Sequence, residues 1–238
     1  MARPKTHYSE KREELVKVSF ELFMKNGYEN TSIQDIMNIA KISKGAMYHY
    51  FTSKEDILDA VLNYIIDMDI KRLEPILNDD SISSLKKLTI MMNHKNTQPV
   101  DIVKQATEYA IQRKESIFDY RARELSKHRT IILLTELIYE GVSNEEFHTE
   151  YPEEMAAFIY ASSQTIGELM MKNTNKDSLS RTISAFVQLL TNCLGLKKKD
   201  QDFITEVFGD QFGLEHANNI EIWGGHNEDK IYSVYTVM

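Results

Sequence analysis

Along most of the chain, apolar residues recur every three to four positions, the period of an amphipathic helix, and strand-like alternation is nearly absent before the last twenty residues. Ser9 can cap a first helix through EKREELVKVSFELFMKN, with Leu15, Val18 and Leu22 on one face, Phe23 beside them, and Gly27 ending it as a C′ glycine. Thr31 or Ser32 then caps IQDIMNIA, where Asp35 is the capping-box acid and Ile33, Ile36, Met37 and Ala40 repeat at i, i+3, i+4 and i+7. After only Lys41 and Ile42, Ser43 opens the very short KGAMYHY. Ser53 with Asp56 opens a fourth helix, whose face is Ile57, Leu58, Val61, Leu62 and Ile65. Two short helices joined by so tight a turn form a helix-turn-helix.

The remainder predicts helices near 54–74, 82–95, 99–117, 121–141, 153–173 and 179–195, with a shorter one near 200–212. Pro99 and Pro152 mark starts, where a missing N–H is harmless. The fold class expected is therefore all-α. Its parts are an arm at 1–8, a helix-turn-helix domain at 9–69, a helical body at 70–214 and a tail at 215–238, where the strand-like KIYSVYTVM follows paired glycines and the lone Trp223.

Charge divides the chain in the same place. Residues 1–54 hold nine Lys and Arg against six Asp and Glu, and the remainder 19 against 30, so a head of +3 precedes a body of −11. Only the head suits a polyanion. No apolar run approaches the roughly 18 to 20 residues that span a bilayer, and the amino terminus lacks the apolar stretch of a secretory signal, so a cytoplasmic protein is expected. Cys193 sits in the apolar run VQLLTNCLGL and is expected to be a buried structural thiol. HExxH, CxxC, GxSxG and phosphate-loop patterns are missing and the seven histidines form no ligand pair, so no enzyme, cofactor or metal site is expected.

Candidate chemistry gathers in KISKGAMYHYF, residues 41–51. A helix this short buries one face, which Ala46, Met47 and Tyr50 can supply with Phe51 just beyond, leaving Lys44, Gly45, Tyr48 and His49 outward. Free N–H groups at the helix start, the Lys44 charge and the side-chain-free Gly45 suit close approach of a DNA duplex in its major groove. Thr31 and Lys54, at the starts of the flanking helices, can hold the backbone, and the cap residues Ser32 and Ser43 join the same candidate face. Arg3, Lys5 and Arg12 are candidates for a minor-groove arm.

GYENTSIQDIMNIAKISKGAMYHYFTSKEDIL, residues 27–58, resembles the DNA-binding domain of the TetR family of bacterial transcriptional regulators: glycine-aromatic after helix one, Thr-Ser before helix two, then Ser-Lys-Gly, Tyr-x-x-Phe and Ser-Lys-Glu, without a gap. The resemblance implies that Lys44, Gly45 and His49 face bases and that Thr31, Tyr48 and Lys54 hold phosphates. One departure is Lys41, where the family often has a turn glycine; a left-handed Lys41 would cost roughly 1 kcal/mol against glycine.

For the body the resemblance implies two late helices paired with their copies in a homodimer. The stripes available are Phe158, Ile159, Ser162, Ile166 and Leu169 in one helix and Ile183, Phe186, Val187 and Leu190 in the next, with intramolecular core as the lesser alternative. Two heads roughly 34 to 36 Å apart would read a palindrome. The resemblance also implies a cavity for an unidentified small-molecule effector. Met91, Met92, Tyr109 and Gln112 are candidate lining residues, as are Phe118, Tyr139, Tyr160 and Gln164. Double-stranded DNA, a second copy and an effector are thus the implied partners, and repression the implied action. A DNA-binding adaptor governed by a protein partner remains the alternative.

Overall fold

The computed structural model describes residues 4–92, 100–113, 116–171 and 175–212, and the expectations for Arg3, Pro99, Trp223 and the tail at 215–238 lie outside them. Among the described residues every regular element is a helix. In chain order they are α1 (Pro4–Asn26), α2 (Ile33–Ala40), α3 (Lys44–Tyr50), α4 (Lys54–Leu77), α5 (Ser84–Met92), α6 (Asp101–Gln112), α7 (Ile117–Ser143), α8 (Pro152–Met171), α9 (Lys176–Cys193) and α10 (Lys198–Phe212). None of them is long and apolar enough to cross a membrane.

The first helix starts at Pro4, not after a Ser9 cap, so residues 4–8 are no separate arm. A proline suits the first helical position, because its missing N–H would have been unpaired there. Gly27 ends α1 at φ 91°, its N–H donating to the Phe23 carbonyl at 2.9 Å. Ser32 caps α2 in a reciprocal box with Asp35, and Ser43 caps α3. Pro152 is the first residue of α8. Pro75 lies inside α4, whose helical pattern had suggested an end one residue earlier.

Packing divides the chain into two compact units. One comprises the residues up to Met68 together with Asp101–Leu125, so α6 and the first part of α7 belong with the head, which a linear division at residue 69 does not anticipate. Its core is Leu15, Phe20 and Phe23 of α1, Ile36 and Met37 of α2, Met47 of α3, Phe51, and Ile57, Leu58, Val61 and Leu62 of α4. Val18 and Leu22, expected inside, are only half-buried, and Val16 and Phe20 take their place. Arg121 of α7 pairs with both carboxylate oxygens of Asp59 on α4.

The other unit comprises the described residues between 69 and 100 and between 126 and 212. Leu88 and Met91 of α5, Leu134 and Ile138 of α7, Ile159 and Ile166 of α8, Phe186 and Leu190 of α9 and Ile204 of α10 share one core. Two polar devices pin α5. Lys87 is 1% exposed and its Nζ donates to Glu140 Oε1 of α7 at 2.6 Å. The Glu146 carboxylate accepts from the Ser84 and Leu85 N–H groups at 3.0 and 3.2 Å, satisfying donors that the helix start leaves over.

Candidate nucleic-acid interface

The turn between α2 and α3 is made by three residues, and its first, Lys41, is left-handed at φ 50°, ψ 46°. The Lys41 and Ile42 N–H groups both donate to the Met37 carbonyl, closing α2 before Ser43 starts α3. A lysine thus occupies a conformation that favours glycine, at a cost of about 1 kcal/mol. Ser43 Oγ accepts from the Ala46 N–H at 3.3 Å, which orients the first turn of α3. Met47 is fully buried on that helix and Phe51 nearly so, while Ala46 and Tyr50 are half-buried.

Lys44, Gly45, Tyr48 and His49 are all exposed, as are the cap residues Ser32 and Ser43. Lys44 Nζ lies 6.0 Å from the centre of the Tyr48 ring one turn on, and these two residues form one polar edge of the helix. Gly45 is the informative member. A methyl group placed there would meet no packed neighbour within 4 Å. Glycine is a weaker helix former than alanine, and among the described residues no packing requires it at this position.

Two expected backbone holders have other work. Thr31 is 1% exposed, and its hydroxyl donates to the Gly27 carbonyl at 2.8 Å and lies 3.3 Å from that of Leu22. It ties the end of α1 to the start of α2 and has neither the exposure nor the free proton to hold a phosphate, which corrects the expectation for this residue. Ser32 also spends its hydroxyl locally, donating to Asp35 Oδ2 at 2.6 Å and accepting from the Asp35 N–H at 3.1 Å. The Ser32 hydroxyl and, after it, the Ser32 N–H at 2.8 Å both donate to the Asp35 carboxylate and hold it below the usual carboxylate range. Lys54 is half-buried, its Nζ donating to the Glu29 carbonyl at 3.3 Å and lying 4.3 Å from the Tyr28 ring centre. Its charge braces the loop after α1 before any ligand arrives.

That loop is also tied to α6. The Tyr28 N–H donates to the Tyr109 hydroxyl at 2.7 Å, and Tyr109 stacks edge-on against Phe118 at 4.8 Å. Burial pushes the Tyr109 phenol up, so it stays protonated. Tyr109 and Phe118, expected to line a cavity, are therefore packed parts of the head unit, and Gln112 beside them is exposed. The other five candidates lie in the second unit: Met91, Met92 and Tyr160 are buried, Gln164 is half-buried with a covered Nε2 that lacks a partner, and Tyr139 is exposed, its hydroxyl 3.3 Å from Glu153. The eight do not form a single group.

Of the nine residues considered for self-association, Ile159, Ile166, Ile183, Phe186, Val187 and Leu190 are buried within their own chain. A side chain already covered has no area left to give a partner. Phe158 is 56% exposed, and Ser162 and Leu169 are half-buried. Periodicity alone could not separate these two groups, because it locates an apolar stripe without saying what covers it.

Sequence reasoning also overlooked Tyr8. Its ring lies against the end of α3, stacked on Tyr50 at 4.8 Å and edge-on to His49 at 5.4 Å. Tyr8 and Arg12 are four apart, which was the available signal that α1 turns one face towards α3 here. Arg12, taken as part of an arm, instead lies 4.8 Å from the centre of the Phe51 ring.

Residues 15–61 match the model of bacterial regulatory proteins of the tetR family. Over 64 residues the chain is 44% identical to an uncharacterized HTH-type transcriptional regulator, YuxN, of Bacillus subtilis; the alignment covers 27% of this chain and 22% of that relative. It is 27% identical over 147 residues to the HTH-type transcriptional repressor KstR2 of Mycolicibacterium smegmatis, covering 59% of this chain and 69% of the relative. The crystal structure of a TetR-family transcriptional regulator from Pectobacterium atrosepticum shares the fold, with a TM-score of 0.53 and 21% identity over 81% of this chain and 98% of that one. The capped α2–turn–α3 unit lies inside the segment that matches the tetR-family model, so residues 15–61 form a DNA-binding segment of the tetR type.

Proposed function

We propose that the protein is a repressor that binds a palindromic DNA operator as a homodimer and is released from it by a small-molecule effector. The observation that carries DNA recognition is Gly45: a disfavoured helical glycine with open space around it, beside Lys44 and His49 on the exposed face of α3. Its value lies in letting another surface come close. In this reading Lys44 and His49 meet base edges through the major groove, and Tyr48 holds a phosphate. Ser43 accepts from Ala46 through Oγ, and its O–H serves a phosphate oxygen. Lys54 adds charge at the start of α4 while bracing the Tyr28 loop.

Supporting repression, the KstR2 relative is named a repressor. Supporting self-association, α8 leaves Phe158 exposed with Ser162 one turn on, an apolar and small-residue edge suited to a twofold copy. For the effector, Met91, Met92, Tyr160 and Gln164 of the second unit offer adaptable apolar surface with one unpaired amide donor. A ligand preferring a form with wrongly spaced heads lowers DNA affinity by its differential binding.

The test is selection of duplexes by the intact protein from a random-sequence pool, followed by fluorescence anisotropy across a salt series. The reading expects an enriched palindrome bound far more tightly than a scrambled duplex, and Lys44→Ala relaxing the preference at one base pair. Enrichment of nothing, or equal binding to both duplexes, would overturn it.

A further inference from the structure

We infer that Tyr8 positions the DNA-reading residues of α3, acting as a strut from α1 rather than as a contact of its own; the inference rests on the DNA-binding role proposed above. Three rings from two helices close a triangle. Tyr8 stacks on Tyr50 with centroids 4.8 Å apart and planes 28° apart, and it meets His49 edge-on at 5.4 Å and 86°. His49 and Tyr50 are edge-on to each other at 5.4 Å and 71°. Both Tyr8 contacts have the offset-stacked or edge-to-face form that aromatic quadrupoles favour.

The arrangement answers a problem that the short recognition helix creates. His49 is exposed in the last turn of a seven-residue helix, and an imidazole there would ordinarily sample several rotamers. A base contact needs one of them, and freezing it on binding subtracts from affinity. Tyr8 holds the ring beforehand. One turn further along α1, Arg12 lies over Phe51, so the same face of α1 engages residues 49, 50 and 51 in succession. Tyr8 is itself 39% exposed, so the triangle lies at the surface and is not an extension of the core. The start of α1 at Pro4, before the expected Ser9 cap, is what brings Tyr8 into helical register with Arg12.

The experiment compares the intact protein with Tyr8→Phe, Tyr8→Leu, His49→Ala and the Tyr8→Leu/His49→Ala double variant. Probes are the duplex selected from the random pool and its scrambled form, with thermal melting as the folding control. Tyr8→Leu is expected to lose about threefold to tenfold in affinity for the selected duplex, the worth of such ring contacts, and nothing on the scrambled one. Tyr8→Phe should bind as the parent does. In the His49→Ala background Tyr8→Leu should cost less than it does alone. In the free protein, the ring-current displacement of the His49 imidazole proton signals should persist in Tyr8→Phe and shrink in Tyr8→Leu, where the Tyr50 ring alone remains beside His49.

A Tyr8→Leu protein with unchanged affinity, an equal loss on both duplexes, or a loss fully additive with His49→Ala would overturn the inference. So would a loss in Tyr8→Phe, which would make the hydroxyl a direct contact. If His49→Ala and Lys44→Ala are themselves silent, the proposed reading face is wrong, whereas silence of Tyr8→Leu beside an active His49→Ala removes only the strut.

Discussion

Two helical glycines, one in each unit, have opposite surroundings. Gly141, in α7, sits against Phe147 so closely that an added methyl carbon would overlap the ring, and its carbonyl accepts from the N–H groups of Glu146 and Phe147. The chain itself explains that glycine. Gly45, in α3, has open space where its side chain would be. The body is built around reasons internal to the chain, and the outward face of the head holds a residue with none. The proposed function gives that glycine its reason: close approach of a duplex to α3.

The contrast can be tested first in the body, where effects on folding are largest. Glu140→Ala strands the Lys87 ammonium inside the second unit and should destabilise the protein by about 3 kcal/mol or more, read by denaturant unfolding. Lys87→Met should cost much less, because the Glu140 side chain it leaves is 35% exposed and can turn to water. Equal losses would mean that the pair is not held as described. Gly141→Ala should cost about 2 to 3 kcal/mol by displacing the Phe147 ring, and leave DNA affinity unchanged wherever the variant is folded.

In the head, Tyr109→Phe removes the hydroxyl that accepts from the buried Tyr28 N–H and should destabilise by about 1 to 2 kcal/mol. At full folding its effect on DNA should be small, since Tyr109 is not on the exposed face of α3. The smallest change expected is Lys41→Gly, which relieves the left-handed turn and should stabilise by up to about 1 kcal/mol, visible as a rise in Tm. A fall in Tm would show that the Lys41 side chain supports the turn in a way its geometry does not suggest.

What could be read in advance follows the range of the interactions. Caps act over three or four residues, so Ser32 with Asp35, Ser43 and the Gly27 terminus all follow from spacing. The exposure of Lys44, Gly45, Tyr48 and His49 follows too, because a seven-residue helix has a single buried face. Thr31 did not, since its burial against the Gly27 carbonyl depends on how α1 and α2 meet. Nor did Tyr109, whose partner Tyr28 is 81 residues away in the chain. The stripes of α8 and α9 were visible as apolar, but their occupant was not: Phe186 and Leu190 turned out to be covered within the chain while Phe158 was left open.

The most direct test of the account is Gly45→Ala, with thermal unfolding and affinity for the selected duplex measured on the same sample. Alanine fits the helix and meets nothing, so stability should rise by about 0.5 kcal/mol while binding weakens about tenfold or more, because the added methyl stands where the duplex comes closest. A protein that gains stability and binds DNA as tightly as before would contradict the claim that this face of α3 is built for close approach.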